Sequence, residues 1–163
     1  NAEKSIWGGE IGEYLKAMPA QGNVTLGAQL FERHCMMCHT EQNNQRSIGP
    51  ALDGFKSWTD TMWVTAVLDP NRAVEARYRR LVLLTEEGQV MVGVMRAETD
   101  TDLTIATVEG KILVLQKSEL ERIEETDKSL MPEGFARFLP PDQMRNLVEY
   151  LRSRSDRIET SPK

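Results

Sequence analysis

Apolar residues recur along this chain in two rhythms. Ile11, Tyr14, Leu15 and Met18 fall at three- and four-residue spacing before Pro19, the pattern of a short amphipathic helix. Gln21, Gly22 and Asn23 read as a turn, and residues 1–24 as an N-terminal arm. A helix is predicted over residues 25–38, with Leu26, Leu30, Phe31 and His34 at helical spacing and Thr25 as its N-cap. A polar loop over 40–47 follows, punctuated by Gly49 and Pro50. A further helix is predicted over 58–68, with Met62, Trp63, Ala66 and Val67 on one side and Asp69-Pro70-Asn71 ending it.

At Ala76 the period becomes two. Strands are predicted over 78–85, 90–97, 103–108 and 112–116, with a short fifth near 122–125, and with turn signals at Glu87-Gly88, residues 99–102 and Glu109-Gly110. Val90, Val92 and Val94 alternate with Met91 and Met95. Both faces are thus apolar, so the sheet is packed on both sides or curled into a small barrel. Past Met131 the chain returns to loop. Pro140-Pro141-Asp142 then opens a last helix to about Arg154, with Met144, Leu147, Val148 and Leu151 as its stripe, and the final residues 159–163 read as frayed. The expected fold class is mainly α, with an inserted antiparallel β subdomain that is barrel-like (α+β).

Composition narrows the function. The 163 residues are 40% hydrophobic and 28% charged, enough for a real core without disulfide staples. The net charge of −5 argues against a nucleic-acid binder, which needs a basic patch. No apolar run is long enough to span a membrane. Residues 1–10 lack the basic and apolar regions of a signal peptide, so either an export signal has been removed or the chain is one domain of a longer protein.

The two cysteines lie in one segment, Cys35-Met36-Met37-Cys38-His39, the C-x-x-C-H pattern of covalent haem attachment. Two thiols three residues apart on one turn reach the two vinyl groups on one side of a porphyrin, and the next residue then lies beneath the iron. Zinc needs about four ligands, and this chain has only two cysteines and two histidines, all within residues 34–39, too short a run to wrap a tetrahedral ion. A thiol–disulfide redox pair would follow a strand, and here a helix precedes. That thiol reading stays open beside haem.

Gly27, Phe31, Cys35, Cys38 and His39, with Leu147, Tyr150 and Leu151 on the last helix, resemble a class I cytochrome c. The resemblance implies one covalent haem c, with His39 as an iron ligand, and a close crossing of the first and last helices at Gly27. It also implies a methionine as sixth ligand. Among eight methionines, Met36 and Met37 lie inside the attachment turn and cannot reach the other face. Met62, Met91, Met95 and Met144 are most simply core fillers. Met131, in the loop Ser129-Leu130-Met131-Pro132, resembles the family's ligand loop. In the family's pattern the Pro50 carbonyl accepts a hydrogen bond from the other ring nitrogen of His39; the plain alternative is a turn proline. His34 shares a helix with the attachment site, so a surface or propionate-side role is expected.

The long separation of His39 from Met131 places the β-rich stretch, 76–126, as an insertion in a cytochrome c domain spanning 25–163. Residues 27–39, Ile48-Gly49-Pro50-Ala51-Leu52, Leu68-Asp69-Pro70-Asn71, Glu87-Gly88-Gln89-Val90 with Gly93, and Ser129 to Gly134 together resemble a narrower group, a haem-binding domain of planctomycetes and verrucomicrobia. Such domains often end larger secreted proteins with dehydrogenase-like portions. The strands also resemble an Sm-like barrel, but Glu86, Glu87, Glu98, Asp100, Asp102 and Glu109 in the turns repel phosphate. The insertion is read instead as covering a haem edge or docking a partner. Arg72, Arg77, Arg79 and Arg80 either pair with propionates or form a solvated face, and Trp58 and Trp63 either line the haem or fill the core.

The expectation is single-electron transfer by a His/Met haem, with no catalysis by the chain itself. A redox partner, either a dehydrogenase or another cytochrome, follows, with no nucleic acid, and a periplasmic or exported location, because bacterial covalent haem attachment occurs outside the cytoplasmic membrane. The enzymatic alternative is a haem peroxidase or gas sensor with an open or displaceable sixth position.

Overall fold

Asn23, not Thr25, starts the second helix. Its side-chain oxygen accepts from the Leu26 N–H at 3.0 Å, and its own N–H donates to Asn146 Oδ1 at 2.7 Å. The computed structural model describes residues 11–39, 47–55 and 57–159, with side chains of the last helix to Arg154. The first ten residues of the arm, nearly all of the 40–47 loop and the frayed end lie outside the described residues.

The chain divides into two compact units. The first, Asn1–Met36 with Ala51–Arg72 and Pro132–Lys163, is helical. It holds α1 (Ile11–Ala17), α2 (Val24–His34), α3 (Asp60–Leu68) and α4 (Pro141–Glu159). The second unit is Met37–Pro50 with Ala73–Met131.

In the helical unit α2 packs on α4 through a glycine. A Cβ on Gly27 would overlap the Asn146 carbonyl oxygen and lie 2.6 Å from its carbon and 2.8 Å from Tyr150 Cβ, so only glycine lets the two backbones meet. Phe31, almost fully buried, meets the Tyr150 ring at a centroid distance of 5.4 Å; its burial contributes about 2–3 kcal/mol. Arg154 lies over both rings, 4.7 and 5.9 Å from their centroids, and its Nε donates to Asp53 at 2.8 Å. Leu26, one of the residues at helical spacing, is 48% exposed.

Thr59 caps α3 through Met62 N–H, so that helix starts two residues later than the apolar pattern suggested. Trp63, Val64 and Val67 are its buried residues, while Met62 is 46% exposed and fills no core. Arg145 of α4 is buried and ties three segments together. It donates to the Pro19 carbonyl at 2.8 Å and to Asp60 at 2.5 Å, with Glu149 at 3.4 Å. The Tyr14 hydroxyl donates to the Leu139 carbonyl from a fully buried position.

The second unit is built on one antiparallel sheet in the order β4-β3-β2-β1-β5. Its strands are β1 (Arg79–Thr85), β2 (Val90–Glu98), β3 (Asp102–Thr107), β4 (Ile112–Gln116) and β5 (Leu120–Ser129). The fifth strand is far longer than its weak pattern indicated. It is an edge strand with most residues exposed, and Glu121, Glu124, Glu125 and Asp127 erase any apolar alternation. Gly88 and Gly110 take left-handed φ of 81° and 74° in the two tight turns, where a side chain would be strained.

Both faces are apolar and both are covered in part. Leu81, Leu83, Leu103 and Ile105 form a core on one side, joined by Met91, Met95, Leu113, Leu115 and Leu120. On the other, Val94 and Ala106 pack with Ile48, and Cys38 and Leu130 lie against them. The sheet is open, since no pairing joins β4 to β5; closure into a barrel is not reached.

Candidate functional site

The attachment segment begins where α2 stops. Helix geometry ends at His34, not at Cys38, with Cys35 as C-cap. The Cys35 and Met36 N–H groups both donate to the Phe31 carbonyl, at 2.8 and 2.9 Å. Residues 35–38 then form a turn. Cys35 and Cys38 are half-buried and in no disulfide, while Met37 between them is 79% exposed and Met36 46%. Burial pushes the Cys38 thiol above its ordinary pKa. His34 is exposed at the helix end.

His39 is half-buried, with its Nδ1 2.8 Å from the Pro50 carbonyl oxygen. A carbonyl only accepts, so Nδ1 carries a proton and is the donor in this contact. Gly49 lies flat against the ring. A Cβ there would be 2.6 Å from Cε1, 2.8 Å from Nδ1 and 3.1 Å from the Cys38 carbonyl. The Gly49 N–H donates to that same Cys38 carbonyl at 2.9 Å. Buried Ser47 places its Oγ 2.7 Å from the Cys38 oxygen and 2.9 Å from the Gly49 oxygen, its single proton serving these acceptors. Arg96, in β2, donates through Nη2 to the Ser47 carbonyl.

Met131 lies two residues past the end of β5, half-buried, with its N–H held by Ser129 Oγ at 3.0 Å. Its neighbour Leu130 packs against the Ile48, Val94 and Ala106 cluster that Cys38 also touches. Cys38 and Leu130, the residue before Met131, thus pack on the same side of the sheet. Met91 and Met95 pack into the opposite core, and Met144 is fully buried in the helical unit.

Arg79 Nε and Arg80 Nε are buried without a hydrogen-bond partner among the described residues. Arg72 pairs with Asp69 at 2.8 Å, Arg77 with Glu75 at 3.0 Å and Arg79 with Glu125 at 3.4 Å, exposed pairs that contribute little. Phe55, Trp58 and Trp63 form an aromatic cluster, with the two indoles 4.9 Å apart at their centroids. Among the described residues, no three His, Cys, Asp or Glu side chains gather to hold a metal ion.

Residues 24–84 match the Cytochrome c family model. The match runs from the first residue of α2, through both cysteines, His39 and Pro50, to the penultimate residue of β1. It supports a cytochrome c with covalently bound haem c and haem-based electron transfer as its general function. Met131 and α4 lie beyond the cytochrome c match, as does most of the sheet. No curated protein matches the chain. No helix among the described residues is long and apolar enough to cross a membrane.

Ser47, Gly49 and Arg96 escaped the sequence reading as site residues. Gly49 read as loop punctuation and as part of the Ile48–Leu52 resemblance, with no role against His39. Arg96 did leave a signal: a lone cation at the end of an apolar strand, two residues beyond Val94.

Proposed function

We propose that the chain is a monohaem c-type cytochrome that carries single electrons, with Cys35 and Cys38 holding the porphyrin and His39 and Met131 as axial ligands. The observation that carries this is the His39 imidazole, fixed through Nδ1 by the Pro50 carbonyl, directly after two cysteines that share a single turn and form no disulfide. The residues fit the group. With Nδ1 engaged by Pro50, Nε2 is the ring nitrogen that would bind iron, and Gly49 leaves the ring its space. Bound there, haem supplies an iron that changes oxidation state by one electron. The protein orients the imidazole, supplies a soft sulfur that raises the potential, and limits water around both.

The segment 76–126 is read as an insertion within a cytochrome c domain of residues 25–163, after an arm of residues 1–24. The three-residue turn Lys117–Glu119, which joins the two edge strands, supports a barrel-like curl. The planctomycete and verrucomicrobial haem-binding type is the subgroup we favour. An exported setting and a dehydrogenase or second cytochrome as partner complete the reading.

Met131→Ala tests the ligand set. Covalent haem should persist in the pyridine haemochrome spectrum, while the potential falls and carbon monoxide gains access to ferrous iron. An unchanged low-spin spectrum in that variant removes Met131 from the site. A wild-type protein that already binds carbon monoxide favours a sensor or peroxidase instead, and one with no Soret band leaves only the thiol reading.

A further inference from the structure

Arg96 interrupts the sheet where it nears the attachment loop. Met95 pairs with Ile105 and Ala97 with Thr104, so Arg96 is the extra residue of a β-bulge. Bulges bend a strand and re-aim a side chain. Arg96 is half-buried, its Nη1 meets the Met95 carbonyl at 3.3 Å, and its Nη2 donates to the carbonyl of Ser47. Burial disfavours the cation there, and the carbonyl acceptors offset that cost.

Ser47 passes the restraint on. Its Oγ engages the carbonyls of Cys38 and Gly49, Gly49 N–H returns to Cys38, and Pro50, the next residue, holds the His39 ring. We propose that Arg96 is a positioning residue for His39: by clamping Ser47 it fixes the 47–50 loop whose Pro50 carbonyl sets the imidazole's orientation and basicity. This rests on His39 being the iron ligand. It gives the sheet a role on the histidine side of the iron, beyond covering an edge or docking a partner.

The clamp is tested in the holoprotein with Arg96→Met, which keeps the volume and removes the donors, Arg96→Lys, which keeps charge and one donor, and Ser47→Ala. Amide exchange at Gly49 is expected to be about tenfold faster in the Met and Ala variants, with most of the protection restored by Lys. The potential should rise in the Met and Ala variants, because a less firmly hydrogen-bonded imidazole favours the ferric state less. Each tenfold loss of that preference is about 59 mV. Loss of a nearby positive charge alone would lower the potential, so a fall in Arg96→Met overturns the proposal. Unchanged Gly49 exchange, or equal acceleration in Met and Lys, overturns it too. If Arg96→Met does not fold, Arg96→Gln, which drops the charge and shortens the arm, decides by the same two readings, since Ser47→Ala keeps the carbonyl that Arg96 holds. A wild-type chain without haem would sink the electron-transfer reading, while the exchange comparison would still decide the clamp.

Discussion

Replacing Gly49 by alanine adds one methyl group, and the structure says where it goes. The new Cβ would lie 2.6 Å from His39 Cε1, whereas ordinary contact begins at 3.4 Å. One side must give by about 0.8 Å, the difference between those two distances. The loop has little freedom, because Gly49 N–H and Ser47 Oγ both hold it to the Cys38 carbonyl. If the ring yields along its bond to Pro50, the 2.8 Å contact opens to about 3.6 Å, outside hydrogen-bond range. Overpacking costs about 1–3 kcal/mol and the lost bond about another 1, so the expected destabilisation is about 2–4 kcal/mol. Denaturant unfolding of Gly49→Ala reads that directly, with Gly54→Ala as control, since a Cβ at Gly54 meets nothing within 4 Å. The reduction potential should rise as the imidazole loses its hydrogen bond. A Gly49→Ala protein with the control's stability and the wild-type potential would refute the tight fit of loop and ring.

Two further outcomes concern the helical unit. Gly27→Ala drives a Cβ into the Asn146 backbone, where neither helix can yield cheaply. A loss above about 3 kcal/mol, or failure to accumulate folded protein, is expected, and a neutral result in chemical unfolding would deny the helix contact. Asp60 is held below its ordinary carboxylate pKa first by its hydrogen bond from Arg145, with burial opposing and the Arg145 and Arg152 charges assisting. Its folded pKa is depressed, so its contribution is complete above the unfolded value of about 3.8 and disappears as pH falls through the folded one. The stability curves of wild type and Asp60→Asn should therefore converge below about pH 3.8. Parallel curves across that window would remove Asp60 from the acid response.

The residues of the attachment pattern were readable because covalent chemistry fixes them locally. Two thiols at a fixed spacing and the histidine after them need no tertiary partner to be recognised. Four strands were readable for a similar reason, since alternation within each strand reports its own two faces. The fifth was half lost because an edge strand exposed to water carries charges where a central strand carries apolar groups.

Boundaries depended on longer-range contacts. The α2 start moved to Asn23 because its oxygen caps the helix, while its N–H is claimed by Asn146 from the far end of the chain. The stop at His34 lay equally outside any helical periodicity, since the same apolar spacing runs on into Cys38. Sequence alone, then, pointed to the segment proposed to hold the cofactor and determined most of the elements. Only the tertiary structure decided that Gly49 must lack a side chain and that Arg96, on a bulged strand, reaches Ser47. The physical reason is that both facts concern distances between residues far apart in the chain, which no local pattern encodes.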